Sequence, residues 1–234
     1  MAINIQTLKT RSLTALVFVV VMLAGLFINA WTFALLFTIV MLGCIYEYIK
    51  IIKLISPAGY VKFIPLSIVY IILPVLMLLD LGITIIGPNT NDNTGLRFLY
   101  SPLMPCAIIF SIWINDTMAY IVGSMIGKTP LSPISPKKTW EGTIGGIILC
   151  VVVMSLIAYF APVAQSIALH HWIIIAAICA ITGTLGDLLE SKLKRLANIK
   201  DSGSFMPGHG GFLDRFDSLL PASLFVWLYV KLFT

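Results

Sequence analysis

The chain has 234 residues, of which 59% are hydrophobic and only 11% charged, with a mean hydropathy of +1.00. A soluble domain carries about 25% charged residues, so this composition excludes a water-soluble globular protein, whose surface must be covered by something polar. The net charge of +5 lies on short loops between apolar runs; with no soluble basic domain to present it, nucleic-acid binding is excluded as well.

A bilayer core of about 30 Å takes roughly 20 apolar residues per helix. Only helices or closed barrels satisfy the backbone there. The apolar runs are continuous rather than alternating, which reads as helix. In chain order the spans fall at 13–29, 31–49, 62–80, 98–126, 142–160, 172–190 and 218–233. The first follows Lys9 and Arg11 and resembles a signal peptide. It has no small-x-small cleavage site and further spans follow at once, so it reads as a retained helix. Pro65, Pro74 and Pro105 lie inside apolar runs, where a proline is tolerated and kinks the helix. The stretch GPNTNDNTG (87–95) reads as a polar outer loop. Cys44, Cys106, Cys150 and Cys179 all sit in apolar runs and form no C-x-x-C pair, which reads as packing rather than as disulfides.

Lysine and arginine alternate between loops. Lys9 and Arg11, then Lys50, Lys53 and Lys62, then Lys128, Lys137 and Lys138, then Lys192, Lys194, Arg195 and Lys200 fall on one side. The intervening loops are nearly bare, and the 98–126 run must count as one crossing for the alternation to hold. By the positive-inside rule the N-terminus and the basic loops are cytoplasmic. The expected fold is all-α: a polytopic integral membrane protein of about seven transmembrane helices, seven to nine, with a cytoplasmic N-terminus. It is read as a single membrane domain over 1–234, with N-terminal helices in 1–97 and catalytic helices and cytoplasmic loops in 98–234.

The ten acids are unevenly placed. Those from Asp116 onward fall at or beside the cytoplasmic ends of the last four spans, and charges so near a membrane usually mark a site or a pathway. In ITGTLGDLLESKLKR (181–195), Asp187, Glu190, Ser191, Lys194 and Arg195 are three or four apart and share a helix face. Asp214 and Asp217 are also three apart. Carboxylates converging from two helices make a hard-oxygen site that suits magnesium; the alternative is a set of inter-helix salt bridges with Lys194, Arg195 and Arg215.

PISPKKTWEGTIGG (133–146) carries Lys137, Lys138 and Thr139 at a helix entry. KDSGSFMPGHGG (200–211) carries Lys200, Ser202, Ser204, His209, Gly210 and Gly211. Glycine turns and helix N-termini present amides to phosphate oxygens; the alternative is an ordinary loop with a helix cap at Ser135-Pro136 or Thr139. GSMIGKT (123–129) has three residues between its glycines where a P-loop has four, and its glycines read as helix-packing positions, as do Gly142 and Gly146. His170 and His171 lie on the uncharged outer side and read as an interfacial pair rather than as metal ligands.

The run GDLLESKLKRLANIKDSGSFMPGHGGFLDRFDS (186–218) resembles the signature of the phosphatidate cytidylyltransferases, the CDP-diacylglycerol synthases. It supplies Ser191, Lys194-Arg195, Lys200-Asp201, Pro207 to Gly211, Asp214-Arg215 and Asp217 in that family's order. Met206 stands where the family usually has Leu, Ile or Phe. NDTMAYIVGSMIGKTPLSPISPKKTWEG (115–142) is similar to the family too. The resemblance implies conversion of CTP and phosphatidate to CDP-diacylglycerol and pyrophosphate in phospholipid biosynthesis, in the inner (cytoplasmic) membrane, with the active site facing the cytoplasm. It implies magnesium, with a second cation such as potassium. Asp187, Asp214 and Asp217 are then the metal-binding acids and, with Lys194, the catalytic set. Ser191, Arg195, Lys200 and His209 would meet phosphate or nucleotide, alongside Gly210, Gly211, Lys137 and Lys138. Partners so implied are CTP, phosphatidate from the inner leaflet, membrane lipid and a second copy of the chain as a homodimer. Asp116, Glu141 and Arg215 receive no role. Other readings are a CTP-dependent transferase or kinase acting on another lipid, and a transporter using Asp116 and Asp187 as a cation path.

Overall fold

The computed structural model describes residues 5–86, 97–206 and 210–234. It packs as two compact units, one formed by Met1–Pro105 and Asp201–Arg215, the other by Cys106–Lys200 and Phe216–Thr234.

In the first unit, α1 (Ile5–Phe27) is followed almost at once by α2 (Ala30–Ile55). The short connection is possible because Asn29 builds a capping box. Its Oδ1 accepts the Trp31 and Thr32 amides at 2.9 Å, and Thr32 Oγ1 accepts the Asn29 amide at 3.2 Å. Phe33, Phe37, Val40, Cys44 and Ile51 form the buried face of α2. The third apolar run is not a uniform helix. A 3-10 turn (Tyr60–Phe63) and a π-helical turn (Ile68–Ile72) lead into α3 (Leu73–Gly82). Pro74 has no N–H for the Tyr70 carbonyl, and the chain answers by widening the preceding turn, so that the Leu73 amide reaches back five residues to Ile68. The expected proline irregularity is thus present here. Pro105, by contrast, lies in the first turn of its helix, where its missing donor has no intrahelical partner to lose.

A small antiparallel pair, β1 (Ile83–Ile86) and β2 (Arg97–Tyr100), flanks 87–96, with Ile83 opposite Tyr100 and Ile86 opposite Arg97. The all-helical expectation omitted it. The 87–95 stretch read as a loop, like His209, lies outside the described residues.

The second unit takes up α4 (Leu103–Ile126) from Cys106, and adds α5 (Trp140–Phe160), a 3-10 turn (Pro162–Ser166), α6 (Leu169–Leu196) and α8 (Leu219–Phe233), the last preceded by the single turn α7 (Leu213–Phe216). Within the 98–126 run, Leu103–Ile126 is one continuous helix. Helix α6 packs between α5 and α8. Thr139 caps α5 through the Gly142 amide at 3.1 Å. Gly142 and Gly146 let α5 lie directly on α4: a Cβ at Gly142 would stand 2.7 Å from the Ala119 carbonyl oxygen, and one at Gly146 2.7 Å from the Ala119 Cβ.

Among the described residues six helical segments are long and apolar enough to cross a membrane: Ala30–Ile55, Tyr60–Gly82, Leu103–Ile126, Trp140–Phe160, Leu169–Leu196 and Leu213–Phe233; Ser12–Phe27 is a shorter apolar helix. Their exposed faces carry side chains such as Leu35, Ile144, Ile148 and Leu185, as a lipid-facing surface should. The protein is an all-α, multi-pass membrane protein with one two-stranded addition. All four cysteines are buried free thiols.

Candidate active site

Within the second unit, α4, the 127–139 loop, the start of α5 and the middle of α6 enclose a cavity of about 350 Å³. Asn115, Asp116, Tyr120 and Gly123 line it from α4, Lys137 and Lys138 from the loop, Thr139 and Thr143 from the α5 entry, and Thr184 and Asp187 from α6. Lys138 Nζ lies 2.5 Å from Asp187 Oδ2. The buried Asn115 carries its side-chain amide to the Asp116 carboxylate, and Asp116 is within electrostatic reach of both Lys138 and Asp187.

Asp217 joins them from the turn before α8. It is buried, and its Oδ1 accepts the Ser218 amide at 2.6 Å. It feels the charges of Asp187, Asp116 and Lys194. The cause of this meeting is local: α6 carries Gly183 and Gly186 on the face that receives α8. A Cβ at Gly186 would collide with the Asp217 carbonyl oxygen and stand 2.5 Å from Pro221 Cγ. The absent side chain lets the Asp217 backbone lie against the turn that bears Asp187. Along the same helix the fully buried Glu190 pairs with Lys194. This i, i+4 pair keeps one of the expected cations inside the cluster.

The C-terminal end of α6 is closed by Asn198 at φ 55, with the Asn198 amide bonded to the Arg195 carbonyl and the Ile199 amide to the Lys194 carbonyl. This is the Schellman arrangement. Arg195 spends part of its guanidinium on the Ile199 carbonyl, at 3.4 Å. Ser191 is half-buried on α6, and Lys200 is exposed just past the cap.

The lysine-bearing loop is itself braced. Glu141, in the first turn of α5, accepts the Lys128 amide at 3.2 Å, the Thr129 amide at 3.2 Å and the Thr129 hydroxyl at 2.9 Å. Replacing Glu141 by Ala should loosen 127–139 and speed tryptic cleavage after Lys137 and Lys138. A cleavage rate equal to that of the parent protein would show that the brace does not hold the loop.

The glycine-rich segment and Asp214 belong to the first unit. Asp214 Oδ2 accepts the amides of Ser202 and Gly211, each at 2.8 Å, and lies 2.9 Å from the Ser202 hydroxyl. Gly210 sits at φ 84, where an L side chain is strained, and a Cβ there would strike the Asp214 carboxylate. Gly211 is buried against Glu47 of α2, whose carboxylate accepts the Phe212 amide at 3.0 Å and the Leu213 amide at 2.9 Å.

Of the residues singled out in the sequence, the second unit thus groups Asp187, Asp217, Lys137, Lys138 and Lys194, and the first unit groups Asp214, Gly210 and Gly211. Residues without a sequence-based role complete both groups: Asn115, Asp116 and Glu141 in the second, and Glu47 in the first, where Ser202 of the glycine-rich segment joins it. Glu47 did leave a signal, as the lone acid of an apolar run.

Comparison with known proteins follows the same part of the chain. A profile of the cytidylyltransferase family matches residues 98–233. The phosphatidate cytidylyltransferase of Bacillus subtilis is 42% identical over 145 residues, covering 61% of this chain and 51% of that protein. The phosphatidate cytidylyltransferase of Staphylococcus saprophyticus is 49% identical over 110 residues, 47% of this chain and 42% of that protein. Phosphatidate cytidylyltransferase 4, chloroplastic, of Arabidopsis thaliana is 42% identical over 117 residues, 50% of this chain and 29% of that protein. The chain spans about half, or less, of the length of these relatives. The profile covers the acid-and-lysine cavity and more than half of the sequence: the chain belongs to the cytidylyltransferase family.

Proposed function

We propose that the protein transfers the cytidylyl group of CTP to phosphatidate, giving CDP-diacylglycerol and pyrophosphate. The observation that carries this reading is the meeting of Asp116, Asp187 and Asp217 with Lys138 and Lys194 inside a membrane-spanning unit, in a chain of this family. An anionic phosphate oxygen of the lipid attacks the α-phosphorus of CTP. The bond from that phosphorus to the β-phosphate bridging oxygen breaks, and pyrophosphate leaves with the electron pair. The attacking oxygen carries no proton, so the site needs no strong general base. It needs placed charge.

Lys137 and Lys138 enter the cavity from the loop and would draw in the triphosphate. Lys138 holds Asp187 in the described arrangement and would exchange that partner for a phosphate oxygen. Glu190 fixes Lys194 beside Asp217 and keeps its ammonium from swinging into solvent. Glu141 sets the loop that bears the first two lysines.

The donor chemistry fits magnesium. Asp187 and Asp217 would hold the ion with hard carboxylate oxygens. Magnesium takes one or two carboxylates and completes its shell with water and phosphate. When bound, it would neutralise charge on the reacting and leaving phosphates. Potassium is the second cation proposed. The basic loops support a site on the cytoplasmic face of the inner membrane, reached by CTP from water and by phosphatidate from the adjoining leaflet. Purified protein given CTP, phosphatidate and magnesium should release one pyrophosphate per lipid product, stop on chelation and resume on adding magnesium back. Pyrophosphate release that is indifferent to phosphatidate or to the chelator would contradict the proposal.

A further inference from the structure

Glu47 is a buried acid in the C-terminal half of the membrane-length helix α2, outside the stretch matched by the family profile. It is 4% exposed. A buried carboxylate is costly unless its lone pairs are met by donors, and here they are. Oε1 accepts the Phe212 amide at 3.0 Å. Oε2 accepts the Leu213 amide at 2.9 Å and the Ser202 hydroxyl at 2.6 Å. Every donor comes from the glycine-rich segment, more than 150 residues along the chain. The segment is cut to receive it: a Cβ at Gly203 or Gly211 would run into the carboxylate. Phe212 is seated at the same place, its ring on Gly43, one helical turn before Glu47, and 4.1 Å from the Phe205 ring.

The contact continues to Asp214. The Ser202 hydroxyl that meets Glu47 also lies 2.9 Å from Asp214 Oδ2 and 3.3 Å from the Asp214 amide. Asp214 in turn binds the Gly211 amide. Glu47, Ser202 and Asp214 therefore form one hydrogen-bonded chain that ties Ser202 to the Gly211–Asp214 backbone. We infer that Glu47 is a positioning residue: through Ser202 and the Phe212 and Leu213 amides it fixes the Gly211–Asp214 backbone and the Asp214 carboxylate in the geometry used for the nucleotide triphosphate. The inference rests on the cytidylyl-transfer reading above, with Gly210 and Gly211 meeting phosphate as the sequence resemblance implies, for what this segment binds, and on the geometry alone for what holds it.

Glu47→Gln keeps the side-chain shape but turns one oxygen into an NH2 that faces a donor. Two measurements on the purified full chain test the role. In hydrogen exchange, the amides of 211–214 should lose protection in Glu47→Gln while those of α5 and α6 keep theirs. In kinetics, the KM for CTP should rise tenfold or more while the KM for phosphatidate stays within about twofold. General destabilisation would instead lower the active fraction and leave both KM values alone. Ser202→Ala provides the second variant should Glu47→Gln fail to insert. It removes only the hydroxyl link, and should raise the CTP KM and speed exchange at the Asp214 amide. Unchanged exchange at 211–214, or an unchanged CTP KM in an active variant, would overturn the inference. A parent protein that makes no CTP-dependent product would instead defeat the functional reading, and the exchange result would still decide the brace.

Discussion

Asp217→Asn should lower cytidylyl transfer by about 10²–10³-fold, the loss that removing one preorganised oxyanion-hole donor causes in acyl transfer. Asparagine preserves size and an oxygen for the Ser218 amide, which the native Oδ1 accepts at 2.6 Å, so the turn before α8 should form as before. What the substitution removes is a charge that is buried beside Asp187 and compensated in part by Lys194. In isolation, taking away such a charge relieves repulsion, so the variant should be at least as heat-stable as the parent while nearly inactive. Stability retained with activity lost is the signature of a group kept for chemistry. Near-parent turnover in a properly inserted Asp217→Asn protein would remove Asp217 from the site.

Gly186→Val should damage the same site through the backbone. The new Cβ would overlap the Asp217 carbonyl oxygen and press on Pro221, and neither is the movable tip of a side chain. Overpacking of this kind costs about 1–3 kcal/mol, and here the relief must come from moving α8 away from α6. Such a movement separates Asp217 from Asp187. The variant should therefore lose both thermal stability and most of its activity. Leu185→Val, one residue earlier on a face 59% exposed toward lipid, should leave both close to the parent values. Equal behaviour of the two variants would show that the close approach at Gly186 does not set the site.

The membrane architecture was legible because lipid leaves a loud record. Long apolar runs such as 142–160 and 172–190 admit one secondary structure, and the helices α5 and α6 overlie them. The 83–86 and 97–100 strands were not legible. Each is four residues long and abuts or overlaps an apolar run that a helix had already claimed, so no alternating pattern stood out from it. Within the site, Asp187 and Lys194 were visible through helical spacing. Spacing on one helix cannot report what arrives from another, so the Lys138–Asp187 pair had no trace in the pattern, and Asp116 joined Asp187 only in the alternative reading as a cation path. The glycines of α6 carried a hint in the run GTLGD, but a glycine in a membrane helix signals only that something comes close, not which residue does. Glu47 was the clearest missed clue. A solitary acid in an apolar run had to be satisfied somewhere, and its donors lay at 202–213, out of reach of any local rule.

Cytidylyl transfer puts the α-phosphorus of CTP on the lipid. Purified protein can be given CTP labelled at either the α- or the γ-phosphate, with phosphatidate and magnesium, and the label followed into the lipid fraction. The α-label should enter a lipid that co-migrates with CDP-diacylglycerol while the γ-label leaves as pyrophosphate. Transfer of the γ-label to lipid would make the protein a CTP-dependent lipid kinase, and the absence of lipid label from either source would rule out cytidylyl transfer.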